Sequence, residues 1–149
     1  MTLPIIHYAD QWGECIARPA ERCSEIRWYD TTEAMDGDDF NRFLARFAGV
    51  VETSGLPGAL VDAVQFKMDF ARMNMGWRDE HIIPRYNKAG LKKFAFIMPA
   101  GMPAIGAPPQ KEGPADFPTA YFGTRAAALA WLSASLAAAS TKRVVDWAG

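Results

Sequence analysis

Short apolar runs with a two-residue period open the chain. "IIHYA" (5–9) and "ECIA" (14–17) read as strands, and in "EIRWY" Ile26 and Trp28 alternate with Arg27 and Tyr29, as in a strand with one buried face. "RPAER" supplies turn chemistry between them, so antiparallel pairing is expected. The period then changes. In "DDFNRFLARFAGVVE" the residues Phe40, Phe43, Leu44, Phe47 and Val51 recur at three- and four-residue steps, which makes one apolar helical stripe. Asp38 and Asp39 stand at its positive end, where carboxylates stabilise free amides. "TSGLPG" supplies the stop.

Further along, "ALVDAV" reads as a strand, and residues 94–98 are apolar without alternation, as in a strand covered on both faces. "TAYF" (119–122) is another short strand. Thr124 then caps "RAAALAWLSASLAAAS", where Leu129, Leu132 and Leu136 share a face. This order predicts a single α/β domain over 1–149 with a mixed, partly parallel sheet. One segment interrupts it. Residues 99–118, "PAGMPAIGAPPQKEGPADFP", hold six prolines and three glycines. A loop of that length is expected to be either a lid or a floppy insertion.

Composition narrows the function classes. The chain has 149 residues and a formal net charge of -1. A basic stripe of the kind that holds nucleic acid is absent. The opening "MTLPIIHYADQWGEC" lacks a basic segment followed by an apolar one, so a cytoplasmic protein without integral membrane association is expected. Cys15 and Cys23 are then expected as free thiols. No metal site is expected, because His7, His81, Cys15 and Cys23 lack ligand spacing and the consecutive Asp79, Glu80 and His81 point in different directions on a helix. No nucleophile motif or phosphate-binding loop is present. Neither a cofactor nor catalysis is therefore expected.

The densest stretch is "MDFARMNMGWRDEHIIPRY" (68–86). Taken as one helix from Trp77, it puts Ile82, Ile83, Tyr86 and Ala89 on the core side. Trp77, His81, Pro84 and Lys88 fall on the other. Pro84 removes an amide, so a kink is expected there. The exposed stripe calls for a cover: the Pro-rich loop, another subunit or a ligand. Met68, Met73 and Met75 suit gap-filling in a core or an adaptable apolar pocket. Arg72, Arg78 and Arg85 are candidates for an anionic head group, against the commoner role of a solvated helix face. Asp62 ends an apolar strand, where open α/β sheets bind ligands; the plainer role is to accept amides of the following turn.

Trp77, "IIPRYNKAGLKKFAFIMP" (82–99) and "YFGTRAAALAWL" (121–132) together resemble the bacterial STAS/SEC14-like family, which is similar to sporulation anti-sigma-factor antagonists. Asp62, Trp77, Pro84, Gly90, Ala95, Pro99, Phe122, Ala128, Trp131 and Leu132 carry the resemblance over roughly residues 56 to 135. It implies a mixed sheet with helices packed mainly on one side and a non-enzymatic regulatory or ligand-binding role. Anti-sigma antagonists of that family carry a phosphorylatable serine after the strand. Here the place reads "DAVQFKMD", so a kinase-controlled switch of that type is not expected.

The leading expectation is thus a non-catalytic regulatory or interaction module that forms a homodimer or meets a protein partner. The alternative is a binder of a small apolar or amphipathic, lipid-like molecule between the 68–86 segment and the 99–118 loop. An unrecognised enzyme ranks third. The candidate ligand or partner surface comprises Asp62, Arg72, Met73, Met75, Trp77, His81 and Arg85.

Overall fold

The computed structural model describes residues 3–134. Among them, seven strands form one sheet in the order β1-β2-β3-β4-β5-β7-β6. The strands are β1 (Ile5–Ala9), β2 (Gly13–Arg18), β3 (Cys23–Trp28), β4 (Gly58–Asp62), β5 (Lys93–Ile97), β6 (Gln110–Lys111) and β7 (Pro118–Phe122). β1, β2 and β3 pair antiparallel, as the alternation and turn residues predict. β3, β4, β5 and β7 then pair in parallel. The short β6 closes the far edge antiparallel. The architecture is the α/β mixed sheet, partly parallel, that the order of elements predicts.

Successive parallel strands are added in one direction, so crossovers of a single hand must lie on a single face. Helix α1 (Gly37–Ser54) connects β3 to β4, and α2 (Met75–His81) and α3 (Ile83–Ala89) lie between β4 and β5. They share one core with that face through Phe40, Phe43, Phe47 and Val51 of α1, Ile83 and Tyr86 of α3, and Ile26, Val61 and Phe94 of the sheet. The predicted stripe of α1 is its buried stripe. The Asp36 side chain caps α1 by accepting from the Asp39 amide at 2.8 Å. Gly55 ends the helix in the left-handed conformation at φ 66°, a geometry that costs glycine little.

The chain is helical again over 125–134 (α4), on the opposite face. Ala128 and Leu132 pack there against Cys23, Leu60, Ala95 and Ile97. Thr124 caps this helix through a 3.2 Å bond to the Ala127 amide. Leu136, assigned to its apolar face from the sequence, lies outside the described residues. Three helices on one face and one on the other cover the central strands from both sides, as the unbroken apolar run of β5 requires.

The α4 face also holds a buried charge. Glu25 of β3 is 0% exposed. Its carboxylate takes both arms of Arg125 at 2.9 and 2.6 Å and a further bond from Arg18. Arg125 extends to Asp62 at 3.0 Å. Burial alone would raise the Glu25 carboxyl, but Arg125 and Arg18 outweigh it and hold the group below its ordinary value of 4.5. A buried carboxylate is tolerable only with such partners.

Two differences from the sequence reading concern local geometry. The 77–88 stretch is not one kinked helix. It breaks at Ile82, and Pro84 sits in the first turn of α3, where its missing amide has no helical partner to lose. The 99–118 segment is not a floppy insertion: it contains β6, and its Ala115 and Phe117 are buried in the main core.

Substituting Arg125→Ala strands the Glu25 charge beside Arg18. A loss of about 2–3 kcal/mol is expected in denaturant unfolding, somewhat below the range for breaking a fully buried pair because Arg125 is partly exposed. Because the Glu25 carboxyl is depressed in the folded state, its contribution is complete above 4.5 and is lost as pH falls through the lower folded value. A Glu25→Gln protein is expected to show a flatter stability profile below that point, measured by the same unfolding series.

Candidate functional site

The parallel strands β3, β4, β5 and β7 end at the same edge of the sheet, and the segments that leave them border a partly open cavity of about 360 Å³. Strand carboxyl ends are where open α/β sheets hold ligands. The sheet supplies the floor, with Trp28, Val61, Phe96 and Tyr121 among its side chains. The chain after β4 supplies one wall, including Phe66, Met68, Phe70, Met73 and Met75. The chain after β5 supplies another, with Met98, Pro99 and Met102. The cavity therefore lies between the 68–86 segment and the 99–118 loop.

Its two sides differ in stiffness. Phe94, Phe96 and Tyr121 form a row of near-parallel rings, with successive centroids 5.1 Å apart and planes 30° and 17° from parallel. Trp28 packs on Phe66 at 5.2 Å and stacks on Phe40 at 5.8 Å. Facing them are five methionines, Met68, Met73, Met75, Met98 and Met102. These unbranched, polarizable side chains adapt their shape to what they touch.

Polar residues fasten the walls. Thr32, fully buried in the 3-10 turn after β3, donates to the Tyr29 carbonyl at 2.8 Å and accepts from the Lys67 amide at 2.8 Å. Arg72 donates to the carbonyls of Met35 at 3.0 Å and Glu33 at 2.9 Å. These bonds tie the methionine wall to the β3–α1 connection. Asn87 of α3 grips the other loop: its amide donates to the Pro114 carbonyl at 3.0 Å and its oxygen accepts from the Asp116 amide at 2.9 Å. Tyr121 closes the row by donating its hydroxyl to Glu112, whose oxygens lie 2.8 and 2.7 Å away.

The sequence-derived candidates separate accordingly. Met73 and Met75 line the cavity. Arg72 holds its wall from outside. Trp77 is half-buried against the main core, tilted on His81 with ring centroids 5.3 Å apart, and neither residue lines the cavity. Arg85 pairs with Glu52 of α1 at 2.9 and 2.6 Å. Asp62 points to the opposite face, where it meets Arg125 and accepts the Val64 amide at 3.2 Å. Sequence reasoning passed over Thr32, Asn87, Glu112 and Tyr121.

Neither cysteine touches the cavity, and among the described residues no three His, Cys, Asp or Glu side chains gather as metal ligands. No described helix is long and apolar enough to cross a membrane. The chain matches no family model, no curated protein and no solved structure.

Burial pushes the Cys15 and Cys23 thiols up to about 12. The native protein is therefore expected to resist a disulfide reagent at mildly alkaline pH, with both thiols reacting promptly in denaturant. A chromogenic thiol titration with and without guanidinium checks this.

Proposed function

We propose that the chain is a non-catalytic domain that binds a small apolar or amphipathic molecule in the cavity at the carboxyl ends of β3, β4, β5 and β7. The observation that carries this reading is the cavity itself: apolar, walled by aromatic rings and methionines, and placed where two loops meet the sheet. A space of about 360 Å³ has room for on the order of a dozen non-hydrogen atoms at roughly 30 Å³ each. Pockets of this kind orient apolar ligands with a few polar groups. The resemblance to STAS/SEC14-like domains supports a ligand-binding or regulatory role of the same kind.

Calorimetric titration with decanol is expected to show saturable one-to-one binding. Ala63→Phe, which puts a ring into the cavity, is expected to weaken it at least about tenfold while circular dichroism stays unchanged. Native mass spectra of the protein from bacterial expression are expected to show an adduct. The absence of both saturable binding and an adduct would remove the reading.

A second reading, self-association, has one observation in its favour. β1 is an edge strand with a described neighbour on one side only. It carries Ile5 at 50% and Ile6 at 58% exposure, next to Leu3 at 70%. Exposed apolar edges invite pairing with another chain. The homodimer expected from the sequence would use this edge. Light scattering after size exclusion is expected to give a dimer that Ile6→Lys converts to monomer; a wild-type monomer at high concentration would refute it.

A further inference from the structure

Three arginines of the 68–86 segment are candidates for an anionic head group, and two of them are committed elsewhere. Arg72 bonds to backbone carbonyls and Arg85 pairs with Glu52. Arg78 differs. It is half-buried, lines the cavity, and among the described residues has neither a carboxylate partner nor a side-chain hydrogen bond. Its guanidinium lies over the Phe94 ring, 5.8 Å from the centroid. Contact with a ring face compensates only part of what a guanidinium loses on leaving water.

A second polar group sits on the same ring. Tyr86 is 1% exposed, packs 5.7 Å from Phe94 and lines the cavity; no described residue accepts its hydroxyl, yet the one fully buried unpaired side-chain atom among the described residues is Asn41 Oδ1. The hydroxyl therefore keeps a small opening onto the cavity it lines, where a ligand atom can meet it. Burial also pushes this phenol well above its ordinary range, so it remains a proton donor at working pH. The Arg78 guanidinium and the Tyr86 hydroxyl thus stand together on a largely apolar lining with no protein acceptor among the described residues.

The remaining charges agree. Lys67 is a second cation on the lining, and Glu112 is the one lining carboxylate. Glu112 has both oxygens on the Tyr121 hydroxyl rather than on Arg78. Two cations against one carboxylate leave the wall with an excess of positive charge.

Resting on the cavity reading above, we infer that the ligand is an apolar carboxylate: its anionic head takes hydrogen bonds from Arg78 and Tyr86, and its hydrocarbon body lies between the aromatic row and the methionines. A guanidinium meets a carboxylate with two parallel bonds, and the apolar body is drawn in by area removed from water. An unbranched acyl chain and an aromatic acid share this chemistry.

The test compares decanoate, decanol and decylamine by calorimetry on wild type, Arg78→Met and Arg78→Lys. Wild type is expected to prefer decanoate over decanol by about tenfold or more and to bind decylamine weakest, the scale of one charge-assisted bond. In Arg78→Met the decanoate-to-decanol ratio is expected to fall towards one, and Arg78→Lys is expected to restore part of it. Thermal melts of the unliganded variants establish that each is folded. Equal affinity for decanoate and decanol in wild type, or an unchanged ratio in Arg78→Met, would overturn the head-group assignment and leave the cavity reading in place. No binding of any of the three would overturn the cavity reading itself. A 1-naphthoate arm separates the two ligand shapes: tighter binding than decanoate supports an aromatic body, weaker binding an acyl chain.

Discussion

Four parallel strands that end together impose the constraint on which the rest of this molecule depends. Beyond their carboxyl ends no further strand pairs with them, so the chain must leave the sheet and satisfy its backbone in loops. α1 and α3 cover the middle of one face with Phe43, Phe47, Ile83 and Tyr86. The edge where the strands finish is left to irregular segments. Those segments lack the repeating side-chain spacing that lets helices interdigitate, and they are held instead by single polar anchors: Thr32, Arg72 and Asn87. A wall fixed at a few points and faced with methionine is one that a ligand can reshape at small cost.

The sheet also keeps its two chemistries apart. Neighbouring residues of a strand point to opposite faces. Along β4 and the residue that follows it, this sends Val61 and Ala63 to the cavity and Asp62 to Arg125. In β3 it sends Ile26 and Trp28 to the cavity and Glu25 to the arginines. The charged cluster and the apolar cavity are therefore one residue apart in sequence and a sheet thickness apart in space. The cluster secures the start of α4, because Arg125 follows the capping Thr124 directly. A change in the cavity can leave that clamp untouched.

The regular parts of the fold were legible in the sequence because their signals are local. The α1 stripe, the β3 alternation and the Thr124 cap each rest on residues within a few positions of one another. The site was legible only in part. Met73 and Met75 could be marked as an adaptable wall from their chemistry, and the pairing of the 68–86 segment with the 99–118 loop could be anticipated. Tyr121 and Glu112 could not, because their meaning comes from strand pairing and from a loop without periodicity. Glu25 was hidden for a related reason: alternation in β3 assigns it to the polar face, and only α4, a hundred residues later, turns that face into an interior.

The wheel sorted most of the 77–88 stretch correctly, with Ile82, Ile83 and Tyr86 buried and His81, Pro84 and Lys88 exposed. What a wheel does not show is the break at Ile82, which separates α2 from α3. Pro84 marked an irregularity, but proline is as acceptable at a helix start as it is disruptive inside one. As the start of α3, it lets Ile82, Ile83 and Tyr86 all reach the core while α2 takes its own direction. Arg78 of α2 lies over the Phe94 ring. Of the stripe opposite the core only Trp77 packs against that core, while His81, Pro84 and Lys88 are exposed. The arginine that lines the cavity without a carboxylate partner among the described residues is Arg78, one position along from Trp77.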